Sequence, residues 1–368
     1  MSRREAKKGK KIRTKVLVIL CFIVIIALAV FLGWKFMNPE TKEVISDQIN
    51  SAVSGLKEPE KQIKIYSGTD RPIACMIDNH SDAWPQFSIN DAYIVYEIIV
   101  EGGETRLMAL FKGKDLSQIG PMRSARHYFL DYALENDAIY AHIGWSPQAQ
   151  SDIRSLGVNN INGIDYDTGK AYTEGSIFWR ISKTANKTYK IPHNSITSTA
   201  ALMQTAEQKG YRTTSDKESV LNYVTDPIML DDKADAIAAT DVTIPFSTLQ
   251  KVNFKYNAET QNYTRYARNE VQTDATTSEN ITTKNIIITF ARNYTMQDTE
   301  NKGRQDLENT GTKDGYYITN GKAIPITCTK ESRSSQTVYK DLEGNEIKVN
   351  DGNTFIEICP IDAEVVIQ

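Results

Sequence analysis

Nineteen consecutive residues without a charge, 16–34, follow a basic tail in which residues 1–15 carry eight Lys or Arg and one Glu. At a rise of about 1.5 Å per residue, a helix of this length nearly covers the ~30 Å hydrocarbon core of a bilayer. The basic flank is expected to stay in the cytoplasm. The sequence therefore predicts a single-pass protein of the cell membrane, with its N-terminus cytoplasmic and the residues after Lys35 outside.

Two other interpretations of this segment stay open. A cleaved signal peptide has a shorter apolar region that ends in small residues. Ala27-Leu28-Ala29 offers such a site, but the apolar run continues through Leu32. A lipoprotein signal places small residues before a modifiable Cys, whereas Val18-Ile19-Leu20 precedes Cys21. We expect an uncleaved signal anchor.

Charge and cysteine content limit the functions of the part beyond the membrane. The chain sums to −3 and the first fifteen residues contribute +7, so the rest carries −10. An acidic surface does not attract nucleic acid, anionic lipid or anionic wall polymers. Beyond Cys21 the cysteines are Cys75, Cys328 and Cys359. This odd number excludes a complete disulfide framework, and it leaves open either a Cys328–Cys359 bridge or buried free thiols.

Composition and periodicity divide the remaining chain into three parts. Residues 35–70 form a predicted helical stalk and hinge, in which Asn38 caps a helix and Pro39 occupies its first position. Residues 71–212 mix strands and helices, which predicts an α/β (α+β) layered sandwich. Residues 219–368 lack helical periodicity and predict a mostly β domain. The boundary is expected between Thr213 and Leu221.

Individual elements follow from local signals. Gly102-Gly103 between two apolar runs predicts a hairpin, Ser146-Pro147 predicts a helix start, and Asn320-Gly321 predicts a second hairpin turn. In the first domain the predicted strands are 72–77, 93–100, 104–113 and 138–144, and the predicted helices are 123–136, 147–156 and a last helix that ends at Gly210.

Six motifs in the sequence resemble those of one known protein family. They are IVYEIIVEGGETR, IGPMRSAR, GWSPQAQSDI, IPHNSITST, GYYITNGKAIPIT and NTFIEICP. Through them the sequence resembles the YerB-like family of Gram-positive bacteria, from about Pro72 to Pro360. The resemblance implies an N-terminal and a C-terminal domain of unknown function and an exported, lipoprotein-like location. This chain departs from the family in having a membrane helix instead of a lipoprotein signal.

Arginines crowd one part of the first domain. Arg123 and Arg126 fall in the first turn of the predicted helix 123–136, where a cation opposes the helix dipole unless an anion is present. Guanidinium groups at this place suit a carboxylate or a phosphate, and Arg106 on a neighbouring strand adds a third. We expect these arginines to converge with acidic residues of the same domain. Internal ion pairing is the competing interpretation. The acidic candidates are Asp78, Glu101 and Asp131, and His193 and Asn194 are further candidates for ligand binding.

Evidence for catalysis or a metal is weaker. Asp78 and His80 end one strand, His142 ends another, and Ser146 follows it, which supplies candidates for a nucleophile and its base. Gly144-Trp145-Ser146-Pro147-Gln148 lacks the closing Gly of a nucleophile elbow. No His pair stands at ligand spacing and no CxxC occurs, so the sequence predicts no metal and no cofactor. A metal site formed by Asp78, His80, His142 and His193 meeting in space is kept only as a minor alternative.

The predicted function is a membrane-anchored, extracytoplasmic, non-enzymatic binding module of the cell envelope. Its partner is expected to be a wall component or a membrane-bound protein, and not nucleic acid. The alternative is a wall-directed hydrolase or transferase that uses Asp78, His80, His142 and Ser146. Aromatic side chains on loops, such as Trp145, suit contact with sugar rings. The oligomeric state is left open.

Overall fold

The computed structural model describes residues 37–38, 41–42, 62–164, 177–185, 187–297 and 300–368. The chain divides into two compact units, Met1–Lys61 and Gln62–Gln368. The predicted anchor, 16–34, and most of the predicted stalk lie outside the described residues. In the described part of the chain no helix is long and apolar enough to span a bilayer. In the first unit Asn38 Oδ1 accepts a hydrogen bond from the Thr41 N–H at 3.0 Å, as predicted for a helix cap.

In the second unit the described residues form three α-helices and many short strands. The helices are α1 (His127–Glu135), α2 (Pro147–Ser155) and α3 (Thr199–Gln208). The strands are β1 (Ile73–Asp78), β2 (Ile94–Ile99), β3 (Thr105–Phe111), β4 (Ile139–His142), β5 (Asn160–Asn162), β6 (Trp179–Arg180), β7 (Ser195–Ile196), β8 (Asn222–Val224), β9 (Ile237–Ala238), β10 (Asp241–Pro245), β11 (Lys251–Asn257), β12 (Asn262–Ala267), β13 (Glu270–Val271), β14 (Thr282–Thr283), β15 (Asn285–Ala291), β16 (Asn293–Thr295), β17 (Gln305–Leu307), β18 (Gly311–Thr319), β19 (Lys322–Lys330), β20 (Val338–Asp341), β21 (Lys348–Asn350), β22 (Thr354–Pro360) and β23 (Val366–Ile367).

One large sheet extends through both halves of this unit. Its strand order is β20-β19-β18-β15-β22-β2-β3-β1-β4-β5, with β9 paired to β19. The late strand β22 lies between β2 and β15 and is parallel to both. Strands of the first and second halves therefore share one hydrogen-bonded sheet. The fold is mixed α/β and consists mostly of strands, and the domain limits 71–212 and 219–368 stay a prediction.

A second sheet of six strands packs on the large one. Its order is β13-β12-β11-β10-β23, with β14 paired to β12. The strands β10, β11 and β12 are antiparallel and alternate buried and more exposed residues, which is typical of a sheet with one covered face. Phe254 of β11 and Phe355 of β22 meet edge to face at 5.6 Å between ring centroids.

Local signals in the sequence are confirmed where they predicted turns and caps. The hairpin β2–β3 turns through Gly102 and Gly103, which have φ values of 71° and 75°. Asn320 and Gly321, with φ of 49° and 76°, close the hairpin β18–β19. Ser146 Oγ accepts from the Ala149 N–H at 3.2 Å and starts α2. These features depend on neighbouring residues alone, so sequence patterns find them.

The predicted start of the first helix is wrong. The sequence predicts a helix from residue 123, whereas α1 begins at His127 and Arg126 has the extended dihedrals φ −126° and ψ 145°. Arg123 N–H donates to the carbonyl of Met76 at 2.8 Å, and the Ala125 N–H donates to Gly144 at 2.9 Å. Because these bonds are made to neighbouring segments, this stretch stays extended. Arg123 therefore precedes the helix, and the argument from the helix dipole does not apply to it.

The three described cysteines, Cys75, Cys328 and Cys359, are buried free thiols. Burial raises the pKa of Cys328 to about 12, so this thiol stays protonated at neutral pH. Burial also raises the pKa of Cys75 and Cys359. The bridge between Cys328 and Cys359 that the sequence left open is not formed.

Candidate functional site

Three arginines meet where β1 ends. Asp78, the last residue of β1, is paired with Arg106 of β3 in the sheet register. The chain between β3 and α1 returns along the same strand end, where the Asp78 N–H donates to the carbonyl of Pro121 at 2.8 Å. This path brings Arg123 and Arg126 close to Arg106. Segments that are distant along the chain thus place three guanidinium groups at one end of the sheet.

Arg126 and Glu101 form a two-pronged ion pair. Arg126 Nε donates to Glu101 Oε1 at 2.6 Å, and Nη2 donates to Oε2 at 2.8 Å. The side chains are 12% and 19% exposed, so the pair is open to solvent on one side. Burial raises the pKa of Glu101, but the hydrogen bond and charge of Arg126 lower it more, and the net shift is downward. The carboxyl group is ionised at neutral pH.

Arg123 and His193 share the buried carboxylate of Asp78. Arg123 Nε lies 3.2 Å from Asp78 Oδ2, and His193 Nδ1 lies 2.7 Å from the same oxygen. The other oxygen, Oδ1, accepts from the His80 N–H at 3.1 Å. Burial raises the pKa of Asp78, whereas the hydrogen bond of His193 and the charge of Arg123 lower it below its ordinary value. Asp78 is therefore an ionised anchor for two side chains.

Arg106 is the least compensated of the three cations. It is buried, and Nη1 donates to the carbonyl of Ser124 at 2.6 Å. Among the described residues it has no carboxylate within ion-pair distance. Burial, followed by the charge of Arg126, lowers the pKa of Arg106 to about 9. The guanidinium remains charged at neutral pH, and its positive field extends to its neighbours.

Asp131 and Asn194 do not join this group. Asp131 lies on α1 and pairs with Arg333 Nε at 2.7 Å, a partner that comes from the loop after β19. Asn194 accepts from Arg180 Nη1 at 2.7 Å and donates to the carbonyl of Ile181 at 2.7 Å. The expectation that Asp131 faces the three arginines is wrong, because α1 turns this side chain towards the C-terminal strands.

His142 and Ser146 do not form a nucleophile and base pair. His142 is fully buried, with Nδ1 2.8 Å from the Gly144 carbonyl and Nε2 3.3 Å from Asn160 Oδ1. Burial lowers the pKa of His142 to about 4. Ser146 Oγ is the cap of α2. The hydroxyl and the imidazole each have a structural partner, and Asp78 pairs with a different histidine.

An open cavity of about 410 Å³ adjoins Arg126. We call this cavity the Arg126 pocket. Three cationic side chains, one carboxylate, two hydroxyls and one indole line it, and Arg304 and Lys302 come from the loop that leads into β17. The lining residues are Glu101, Ser124, Arg126, Trp145, Ser146, Lys302 and Arg304.

Sequence reasoning missed Lys302 and Arg304. They lie in the second half of the chain, far from Arg126 in sequence, and no motif connects them to it. Lys302 is 63% exposed and lies 3.2 Å from Glu300, whose carboxylate also pairs with Arg304. Among the described residues, the three cations that line the pocket pair with two carboxylates, Glu101 and Glu300.

A larger groove of about 670 Å³ lies elsewhere, on the strands β15, β18 and β19. Two cations and two carboxylates line it, so its charges balance, in contrast to the Arg126 pocket. The charged lining residues are Arg292, Lys313, Glu308 and Asp314. None of the residues predicted from the sequence as ligand or catalytic candidates lines this groove, and the smaller pocket is the better candidate.

A separate charged cluster is fully buried between the two sheets. Arg265 of β12 donates through Nη2 to Glu97 Oε2 at 2.5 Å, and neither side chain is exposed. Glu357 of β22 is paired with Glu97 in the register of the large sheet. Asn79 and Thr105 donate to Glu97 Oε1 at 3.1 and 2.6 Å. This cluster connects the sheets and has no access for a ligand.

Comparisons with known proteins agree with the resemblance seen in the motifs. The family described as protein of unknown function (DUF3048) matches with its N-terminal domain at residues 54–212 and its C-terminal domain at residues 242–356. The chain is 29% identical over 346 residues to "Putative lipoprotein YerB" of Bacillus subtilis (strain 168), which covers 90% of this chain and 93% of the relative. The crystal structure of the YerB protein from Bacillus subtilis matches with a TM-score of 0.66 at 28% identity, over 85% of this chain and 97% of that one. The chain belongs to the YerB-like family, whose two domains of unknown function it carries in order.

Proposed function

We propose that this protein is a membrane-associated, extracytoplasmic binding module that holds a short anionic carbohydrate of the cell wall in the Arg126 pocket. Two observations support the location: the apolar run 16–34 behind a basic tail, and a relative named as a lipoprotein. A single-pass anchor with a cytoplasmic N-terminus is part of the proposal. The function itself rests on the pocket.

The observation that carries the proposal is that three positive side chains meet at one open cavity. Residues 16–368 sum to −10, yet Arg126, Lys302 and Arg304 line one open cavity with a single lining carboxylate. Guanidinium groups recognise carboxylates and phosphates through paired hydrogen bonds. An arriving anion can replace Glu101 as the partner of Arg126 or add to that pair.

The other lining groups favour a sugar. Trp145 offers an aromatic face, and the hydroxyl of Ser124 adds a hydrogen-bonding group at the same wall. A volume of about 410 Å³ is within the usual range for small-molecule sites. The negative charge of the surrounding domain repels long polyanions, so a short ligand with one or two charges is preferred over a polymer.

The test is titration calorimetry on the full chain in detergent micelles. The probes are N-acetylmuramic acid, which carries a carboxylate, N-acetylglucosamine 1-phosphate, which carries a phosphate, and neutral N-acetylglucosamine. We expect the two anionic sugars to bind and the neutral sugar to bind at least about 10-fold more weakly, since a charge-assisted hydrogen bond contributes roughly 1.5–3 kcal/mol. The relative strength of the two anionic probes identifies the charged group.

Lys302→Gln is the first variant, because its side chain is mostly exposed and the fold does not depend on it. We expect this variant to bind anionic sugars several-fold more weakly than the wild type. Lys255→Gln is the matched control, since Lys255 is 55% exposed, has an acidic partner at 4.0 Å and does not line the pocket. Equal affinity of the wild type for neutral and anionic sugars would contradict the proposal. So would an equal loss of affinity for anionic sugars in Lys302→Gln and Lys255→Gln.

The location has its own test. External protease added to intact protoplasts is expected to digest residues beyond the anchor and to leave the basic tail protected. Protection of the whole chain would contradict the proposed topology without bearing on the pocket.

A further inference from the structure

We propose that His80, Asp82 and His193 bind one divalent transition-metal ion, with zinc as the best-suited ion. One donor atom from each of the three side chains can be chosen so that all lie within 4.8 Å of one another. This site is distinct from the Arg126 pocket and does not depend on the function proposed for that pocket. The sequence predicted no metal because the two histidines are far apart in the chain.

The fold holds the two histidines face to face. His80 precedes the short 3-10 helix Ser81–Ala83, which also carries Asp82. His193 lies on the chain just before β7. The imidazole rings of His80 and His193 stack with their centroids 4.4 Å apart and their planes at 20°.

The donor atoms need only a small movement to close around an ion. In a tetrahedral zinc site with bonds of about 2.0–2.1 Å, neighbouring ligand atoms are about 3.4 Å apart. All three donor atoms lie within 4.8 Å of one another, so no separation has to shrink by more than about 1.4 Å. The side chains of His80 and Asp82 are 37% and 51% exposed, so they have room to turn and the ion has a path from solvent.

Asp78 supplies a carboxylate that can hydrogen-bond to a metal-bound histidine and orient its ring. Metal-bound histidines usually donate their second ring N–H to a carboxylate, which orients the ring and strengthens the metal bond. His193 Nδ1 lies 2.7 Å from Asp78 Oδ2, which leaves Nε2 to face a metal. The carboxylate is buried and also accepts from the His80 N–H at 3.1 Å, so this orientation exists before any ion arrives.

Charges around the cluster also suit a cation. Arg123 is a positive group close to the cluster, but it is directed at Asp78 at 3.2 Å. Glu104 lies 3.9 Å from His80 Nε2 and pairs on its other side with Arg268. Among the described residues, Asp82 has no cationic partner other than His80 at 3.9 Å, so its negative charge is available to an ion. Two nitrogen donors favour zinc and similar ions over magnesium or calcium.

The test uses the untagged full chain in detergent, freed of metal with a chelator and titrated with Co²⁺ or Zn²⁺. We expect one equivalent to bind, with the strong visible absorption of four-coordinate Co²⁺, and Zn²⁺ to displace it. His80→Gln is expected to abolish this spectrum. Asp78→Asn is expected to weaken binding by about 10- to 100-fold.

His127→Gln is the matched control. His127 Nε2 lies 2.7 Å from Asp306, the same separation as in the His193–Asp78 pair, but no second histidine faces it. Binding that survives in His127→Gln and is lost in His80→Gln supports the site. His193→Gln is a second variant, and a circular dichroism melt of each variant separates lost binding from lost folding. A wild-type chain without four-coordinate Co²⁺, or a folded His80→Gln variant that binds as before, overturns the proposal.

Discussion

Two carboxylate–arginine pairs begin near the same end of β2 and have different surroundings. Glu97 on β2 pairs with Arg265 from the second sheet, and both side chains are fully buried. Glu101, two residues beyond the end of β2, pairs with Arg126, and both side chains are partly exposed. Four positions along the chain separate a pair inside the protein from a pair at the wall of a pocket.

The difference indicates what each pair can do. The inner pair is accompanied by Glu357, whose two carboxylate oxygens have no hydrogen-bond partner among the described residues. Burial and the nearby charge of Glu97 raise the pKa of Glu357 well above its ordinary value, although Arg265 acts in the opposite direction. A pair surrounded by protein holds the sheets together, whereas a pair that faces solvent can exchange its partner for a ligand.

The largest effect is expected for Arg265→Ala. The change leaves Glu97 and Glu357 buried without their cation, and a stranded buried charge typically costs about 3–5 kcal/mol. Urea denaturation of the full chain in detergent measures the free energy of unfolding. Arg292→Ala is the control, because Arg292 is 67% exposed and its pair with Glu308 contributes at most about 1 kcal/mol. A similar small loss for both variants would remove the distinction between inner and outer pairs.

A second buried group, His142, allows the effect of burial on stability to be tested at acidic pH. Burial lowers its pKa to about 4, against about 6.5 in an unfolded chain. Because the folded state disfavours the charged form, stability from this group is complete above pH 6.5 and is lost as the pH falls towards 4. The loss reaches about 3 kcal/mol.

His142→Gln should therefore lose less stability than the wild type between pH 6.5 and pH 4. The comparison of the two unfolding free energies at each pH isolates this group from the carboxylates, which titrate in both proteins. Parallel curves would mean that His142 is protonated without penalty and is not an interior group.

Glu357→Gln is expected to stabilise the protein at high pH. The raised pKa means that folding favours the protonated carboxyl group, so wild-type stability falls as the pH rises from about 4.5 towards the folded pKa. Glutamine is neutral at every pH and avoids this fall. We expect a gain of about 1 kcal/mol or more at pH 8 and little difference at pH 4, measured by urea denaturation. A loss of stability at pH 8 would mean that Glu357 is ionised and paired in the folded state.

The smallest change in stability is expected for Glu101→Gln. Its pair with Arg126 is partly solvated, so the cost should stay below about 1 kcal/mol. If a ligand anion replaces Glu101, the variant should bind anionic sugars about 3- to 10-fold more tightly, an effect of roughly 1 kcal/mol. Unchanged sugar binding together with a large loss of stability would assign this pair to the fold, as for Glu97.

The accuracy of the sequence analysis follows the range of the interactions involved. Strands such as β1, the cap at Ser146 and the turn at Asn320-Gly321 were predicted from residues within one or two turns of each other. The start of α1 was missed because backbone bonds from Met76 and Gly144 hold residues 123–125 extended. No local pattern carries that information.

The candidate site divides in the same way. The sequence singled out Arg106, Arg123 and Arg126 as cations that need anionic partners, because two of them were predicted to lie at a helix N-terminus. It assigned Asp131 to them wrongly and missed Lys302 and Arg304, and it kept a meeting of His80 with His193 only as a minor possibility. Each of these contacts joins segments far apart in the chain, and several segments satisfy the same local preferences.

The sequence by itself determined the apolar segment, the strand and turn pattern, the family and a chemistry rich in arginine, since these depend on composition and neighbouring residues. Only the tertiary structure decided that β22 lies beside β2, that Glu97 is buried while Glu101 faces a pocket, and that Asp78 supports His193. The physical reason is that burial and electrostatic partners are set by strand order and packing. These arise from the summed free energy of many distant contacts and are not encoded at any single position.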